Sequence, residues 1–159
     1  MEKDEEKSNS FQIDFLFKKM ESINYPQFYK VESEFCSLFS MDNRKSELPV
    51  INAFLVVSNW YAASERSGVW TYYEAEDPQK IKNAVDFLNS RRDIDLADIL
   101  SKGIHDYQNP KYAKNFDYPE KWLADSDEID DWISEYSDYL QKWLYDLLME
   151  NRESISSLF

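Results

Sequence analysis

The chain has 159 residues, 31 acids against 18 bases and a net charge of −13, a balance that repels nucleic acid and anionic membrane surfaces and attracts basic proteins. With 43% hydrophobic and 16% aromatic residues it is too apolar for a disordered acidic tail, so the acidity belongs to a folded surface. Only two glycines and five prolines leave few sites for the tight turns of β-hairpins, which excludes an all-β reading and predicts an all-α fold.

Residues 1–9 are charged instead of apolar and read as a flexible lead-in, with no secretory signal and a cytoplasmic location expected. Residues 10–159 read as a single all-helical domain, a bundle of about seven helices around a buried central one. Ile13, Leu16, Phe17, Met20 and Ile23 recur at helical spacing, and after Pro26 so do Phe28, Val31, Phe35, Leu38 and Phe39. Cys36 lies in this second stripe and is expected on a buried face. A polar loop over residues 41–46 ends in Ser46, a candidate N-cap. Residues 48–63 are apolar nearly all round and form the expected central helix.

Gly68 permits a bend before Trp70, Tyr72 and Tyr73, and these aromatics either lock that bend into the core or line a cleft for a small molecule. Asp77-Pro78 is a helix start with the face Ile81, Ala84, Val85 and Leu88. Asp95 and Asp98 open another helix, on whose apolar face Gly103 is expected to let a neighbouring backbone approach. His105 reads as a polar residue late in that helix, with no second histidine to share a metal. Beyond a loop at Asn109-Pro110, Tyr118-Pro119 begins a short turn with Trp122 and Leu123. One long final helix is expected from Ile129 through Trp132, Leu140, Trp143 and Leu147 to Leu148.

The acids are unevenly placed. Residues 117–159 hold twelve acids and three bases, a net −9 of the total −13. Glu128, Asp131, Glu135 and Asp138 follow helical spacing opposite the apolar stripe. At about 1.5 Å rise per residue one such stripe is sparser than DNA phosphates, about 3.4 Å apart on each strand, so a duplex mimic needs a second row, for which Asp117, Glu120, Asp125 and Asp127 are candidates. A solvated outer face explains the same acids, but such a face ordinarily mixes both signs and this one lacks interleaved lysines.

A calcium loop beginning at Asp125 fails, with no glycine sixth and Tyr136 twelfth. The chain has no Gly-rich phosphate loop, no Cys-x-x-Cys pair and no serine-nucleophile motif, so no catalytic residue, metal or cofactor is expected.

Two segments carry a resemblance: Arg66-Ser67-Gly68-Val69-Trp70-Thr71-Tyr72-Tyr73, and Asp127-Glu128-Ile129-Asp130-Asp131-Trp132. In this order, over residues 64–159, the chain resembles a small bacterial domain family named for DNA mimicry, although the family's Asn-Gly-Gly is reduced to Gly68 and its glutamine among the aromatics is missing. The resemblance implies an all-helical, non-enzymatic domain that can dimerise and occupies the DNA-binding face of another protein. The partner expected on these grounds is a basic DNA-binding protein. The rivals are an immunity or antitoxin-like protein that neutralises a basic toxin, and a small-molecule binder or hydrolase using the aromatic turn.

Overall fold

The computed structural model describes residues 2–159; Met1, part of the expected lead-in, lies outside them. Among the described residues there are eleven α-helices, one 3-10 turn at Tyr25–Gln27 and no strand. The fold is all-α. Eleven helices stand where about seven were expected, chiefly because α3 (Asn43–Ser46), α5 (Trp70–Ala75), α8 (Pro110–Ala113) and α11 (Arg152–Ser156) have four to six residues, too few to display an apolar period. The chain divides into two compact units, Met1–Leu55 with Asp138–Phe159, and Val56–Ser137.

In the first unit, α1 (Glu2–Glu21) already includes residues 2–9, so the expected lead-in is helical there, with Glu2, Asp4 and Glu5 in the first turn where the helix dipole favours them. Its buried stripe is Ile13, Leu16, Phe17 and Met20. Helix α2 (Tyr29–Ser40) contributes Val31, Phe35, Leu38 and Phe39, while Cys36 is half-buried, not buried as its neighbours suggested. Phe17, Phe28, Phe35, Phe39 and Phe54 meet at centroid distances of 5.2–6.5 Å, mostly edge to face, the arrangement the ring quadrupole favours. Leu140, Trp143, Leu144, Leu147 and Leu148 are buried on α10 (Ser137–Glu150). The loop at residues 41–46 folds into α3, capped by Asp42, whose carboxylate accepts the Arg44 N–H at 2.8 Å; Ser46, expected to cap the next helix, is the last residue of α3 and its hydroxyl donates to Asn43 O at 2.9 Å.

Helix α4 (Pro49–Ser67) carries the expected burial, with Ile51, Ala53, Phe54, Val56, Val57, Trp60, Tyr61 and Ala63 all below one-tenth exposed. The boundary between the units falls within it, between Leu55 and Val56.

In the second unit, α6 (Pro78–Ser90) starts as the sequence indicates, Asp77 accepting the Gln79 N–H at 2.9 Å. It packs on α7 (Ile94–Lys102), whose N-cap is Asp93. Asn109 caps α8 by accepting the Lys111 N–H at 3.0 Å, so the expected loop there is a helical turn. Around Trp60 the core is tied by one tyrosine: the Tyr73 hydroxyl accepts the indole N–H of Trp60 at 2.9 Å and donates to the carbonyl of Leu100 at 2.6 Å. A Cβ on Gly103 would lie 2.3 Å from the Tyr73 ring, so this glycine makes room for an aromatic side chain, not for a neighbouring backbone.

The expected single C-terminal helix is two. Helix α9 (Glu120–Glu135) begins directly after Pro119 and ends at Tyr136, whose φ of −104° and ψ of 25° leave the helical range while its N–H still bonds Trp132 O at 2.9 Å. Ser137 and Asp138 follow, residues whose side chains compete for backbone groups and so favour a fresh start as α10.

Candidate acidic interaction face

Helix α9 lies in the second unit and carries most of the acids singled out in the sequence. At about 100° per residue, Glu120, Asp127, Asp131 and Glu135 fall within about 80° of arc, opposite the buried Ser126, Ile129 and Ile133. All four are exposed, and none has an ion-pair or hydrogen-bond partner for its side chain among the described residues. From Glu120 to Glu135 the row spans about 22 Å of helix axis.

The remaining sequence candidates are placed differently. Asp117 is exposed in the loop before α9. Glu128 pairs with Lys102 of α7 at 2.7 Å, and this hydrogen bond to the carboxylate holds the ammonium above the ordinary lysine range. Asp138 belongs to α10 in the other unit, where its carboxylate accepts the Tyr25 hydroxyl at 3.2 Å; the spacing that joined it to Glu128, Asp131 and Glu135 runs through the break at Tyr136.

Two acids of α9 turn inward. Asp125 contacts His105 Nε2 at 2.9 Å with only 14% of its side chain exposed, and the imidazole lies flat on Trp122 at 5.0 Å. His105 follows the C-terminus of α7 and is a packed, paired group, not the bland helical residue expected. Asp130 accepts the Ser64 hydroxyl at 2.6 Å and the Val69 N–H at 3.0 Å, and one turn earlier Ser126 accepts the Trp70 N–H at 3.1 Å. These bonds fasten α9 to the turn at Gly68, whose φ of +94° needs glycine. The two segments that carry the family resemblance are therefore in direct contact, through an acid that serves structure.

Two further outward acids stand on α7, where the sequence showed only a helix opening. Asp95 and Asp98 are exposed and have no side-chain partner among the described residues. With Glu128, Lys102, Trp132 and Tyr136 they line a groove of about 660 Å³. Trp132 is half-buried, not the core residue its spacing suggested, and its ring meets that of the exposed Tyr136 at 4.8 Å. Acid pairs at i and i+3 on a short helix were the available signal. The groove combines carboxylates with aromatic faces, which together attract cations, guanidinium above all.

At the aromatic turn, Tyr72 and Tyr73 are buried and Trp70 is half-buried against Tyr118 at 6.2 Å, so core packing uses most of their surface. Tyr72 also borders a groove of about 350 Å³ with Asn59, Arg66 and Thr71. Its hydroxyl is buried with no hydrogen-bond partner among the described residues, and burial pushes its ionisation well above the usual tyrosine value.

Among the described residues no three His, Cys, Asp or Glu side chains gather as metal ligands, and no helix is long and apolar enough to cross a membrane. No family model, curated protein or solved structure matches the chain.

Proposed function

We propose that this protein is a non-enzymatic, acidic protein-binding domain that occupies the basic, nucleic-acid-binding surface of a protein partner with the outer face of α9 and the adjoining face of α7. The observation that carries this reading is the pair of unneutralised carboxylate rows: Glu120, Asp127, Asp131 and Glu135 on α9, with Asp95 and Asp98 on α7. Along α9 the consecutive pairs from Asp127 to Glu135 are about 6 Å apart, against about 3.4 Å of axis per phosphate on one DNA strand. One row is too sparse for a duplex, and the two carboxylates of α7 raise the number of outward acids from four to six. Among the described residues Lys102 is the sole cation lining the groove between them, and it is already paired with Glu128. Arginine side chains that grip phosphate would find carboxylates and the Trp132–Tyr136 aromatic pair here.

The test uses the quadruple variant Glu120→Gln/Asp127→Asn/Asp131→Asn/Glu135→Gln. The parent should retain a basic protein that duplex DNA displaces in competition and that rising salt releases, while the variant, equally folded by circular dichroism, should not retain it. If the variant holds the same partner with unchanged affinity and little salt dependence, the acidic face is only a solvated surface.

A further inference from the structure

Tyr72 and Tyr73 are neighbours on α5, and their hydroxyls fare differently. That of Tyr73 is used twice inside the core, by the Trp60 indole and the Leu100 carbonyl. That of Tyr72 is buried, on a side chain only 7% exposed, and meets no hydrogen-bond partner among the described residues. A buried hydroxyl that has given up water and gained nothing is costly and rare, so its surroundings must account for it. Tyr72 borders the groove of about 350 Å³ between the C-terminal half of α4 and α5, a volume at the small end of the range for ligand pockets.

The chemistry of the lining selects the ligand. Ser67 and Thr71 have no proton to offer. The Thr71 hydroxyl donates to the Gly68 carbonyl at 2.8 Å, so Ser67 must donate the 3.0 Å bond between the two hydroxyls. The donors left to the groove are the exposed Arg66 guanidinium, the exposed Asn59 amide and the Tyr72 hydroxyl. Burial, then the Glu76 charge and Tyr73, raise the ionisation of Tyr72 well above its usual value, so this hydroxyl keeps its proton. The acid in the lining is Glu76, whose one oxygen takes the Asp77 N–H at 2.9 Å while the other has no partner among the described residues. Arg66 and Glu76 thus face one groove with opposite charges, and neither has an ion-pair partner among the described residues. A lone anion would gain Arg66 and meet repulsion from Glu76, and a lone cation the reverse; a zwitterion suits both. Ala62, Ala63 and Ala75 add methyl groups to the lining, which favour an apolar body.

We infer that this groove binds a free amino acid with an apolar side chain: Arg66 and the Tyr72 hydroxyl take its carboxylate, Glu76 takes its ammonium, and the alanine methyls carry its side chain. Every residue of the site lies within the Val56–Ser137 unit. It shares none with the acidic face of α9 and α7, and does not depend on what that face binds.

Calorimetric titration of the full chain with L-leucine and L-phenylalanine tests this. The controls are 4-methylpentanoate, which is leucine without its ammonium, and 3-methylbutylamine, which is leucine without its carboxylate. At least one amino acid should saturate a single site per chain, and each control should bind at least about tenfold more weakly than leucine or phenylalanine, whichever is tighter. Tyr72→Phe and Arg66→Gln should each weaken the amino acid about tenfold or more. Glu76→Gln should weaken it likewise without weakening 4-methylpentanoate. Tyr72→Phe should also melt no lower than the parent, because the hydroxyl it removes makes no bond in the free chain. Failure of both amino acids to saturate overturns the inference, as does binding that Tyr72→Phe leaves unchanged or that either control matches. A Tyr72→Phe protein that melts well below the parent overturns it too, since the hydroxyl then serves the fold.

Discussion

Replacing Gly103 by alanine should destabilise the protein by about 3 kcal/mol, and the source of that figure is a single contact. A Cβ at this position would stand 2.3 Å from two Tyr73 ring carbons and 2.7 Å from its hydroxyl oxygen, where carbon atoms ordinarily meet at about 3.5–4.0 Å. The ring would have to retreat by more than about 1 Å. It is held by its bonds to Trp60 and Leu100 O, and by stacking on Tyr107 at 6.3 Å. Retreat forfeits two buried hydrogen bonds, each about 1 kcal/mol net, and adds about 1–3 kcal/mol of overpacking strain. Backbone preference acts the other way: Gly103 sits at φ −86° and ψ −2°, which alanine adopts freely, and alanine gains up to about 1 kcal/mol over glycine within a helix. The net loss is therefore the ring contact diminished by this backbone gain. Urea denaturation of the parent, Gly103→Ala, Tyr73→Phe and the double variant would measure it. Tyr73→Phe alone should cost about 2–3 kcal/mol by stranding the Trp60 N–H and the Leu100 carbonyl. The double variant should lose about 1–2 kcal/mol less than the sum, because a displaced ring has already given up those bonds. A Gly103→Ala protein within about 0.5 kcal/mol of the parent, or strict additivity, would refute the reasoning.

Trp143→Ala should cost about 3–5 kcal/mol, since the indole is 6% exposed on α10, and a thermal melt indistinguishable from the parent's would place it outside the core. Asp130→Ala should cost about 3 kcal/mol by removing the acceptor of the Ser64 hydroxyl and the Val69 N–H, with Asp130→Asn recovering part of the loss; denaturation of both variants tests the order. Burial pushes the Tyr107 phenol up to about 12, above its unfolded value near 10, so the folded state holds this proton more tightly. The stability it contributes is complete below about pH 10 and is lost as pH rises through 12, by about 2 kcal/mol at pH 12, and Tyr107→Phe should flatten that decline in denaturation midpoints.

The all-helical fold was legible because it rests on local signals: scarce glycine, the Asp77-Pro78 start, and the continuous apolar run of α4. The break at Tyr136 was not, because Ile129, Ile133, Leu140, Trp143 and Leu144 keep helical spacing straight across it. The short helices escaped for want of length, and Asp42 and Asn109 as their caps went unread. Acid enrichment near the C-terminus was legible as a count. Which acids face outward was not, because the partners that draw Asp125 and Asp130 inward lie 20 and 66 residues away in His105 and Ser64. The contribution of Asp95 and Asp98 depends likewise on α7 and α9 lying side by side, which no spacing within either helix reveals.

The inward turn of Asp125 and Asp130 bears on how a mutational screen of this chain would read out. An amide scan along residues 117–138 that scored only cellular phenotype would return two populations under one label. Substitutions at Asp125 and Asp130 would lower the amount of folded protein and leave the outward charges in place; those at Glu120, Asp127, Asp131 and Glu135 would leave abundance alone. Normalising each variant by its soluble yield separates them. Without that correction, the strongest hits would fall on the two carboxylates least able to reach another molecule.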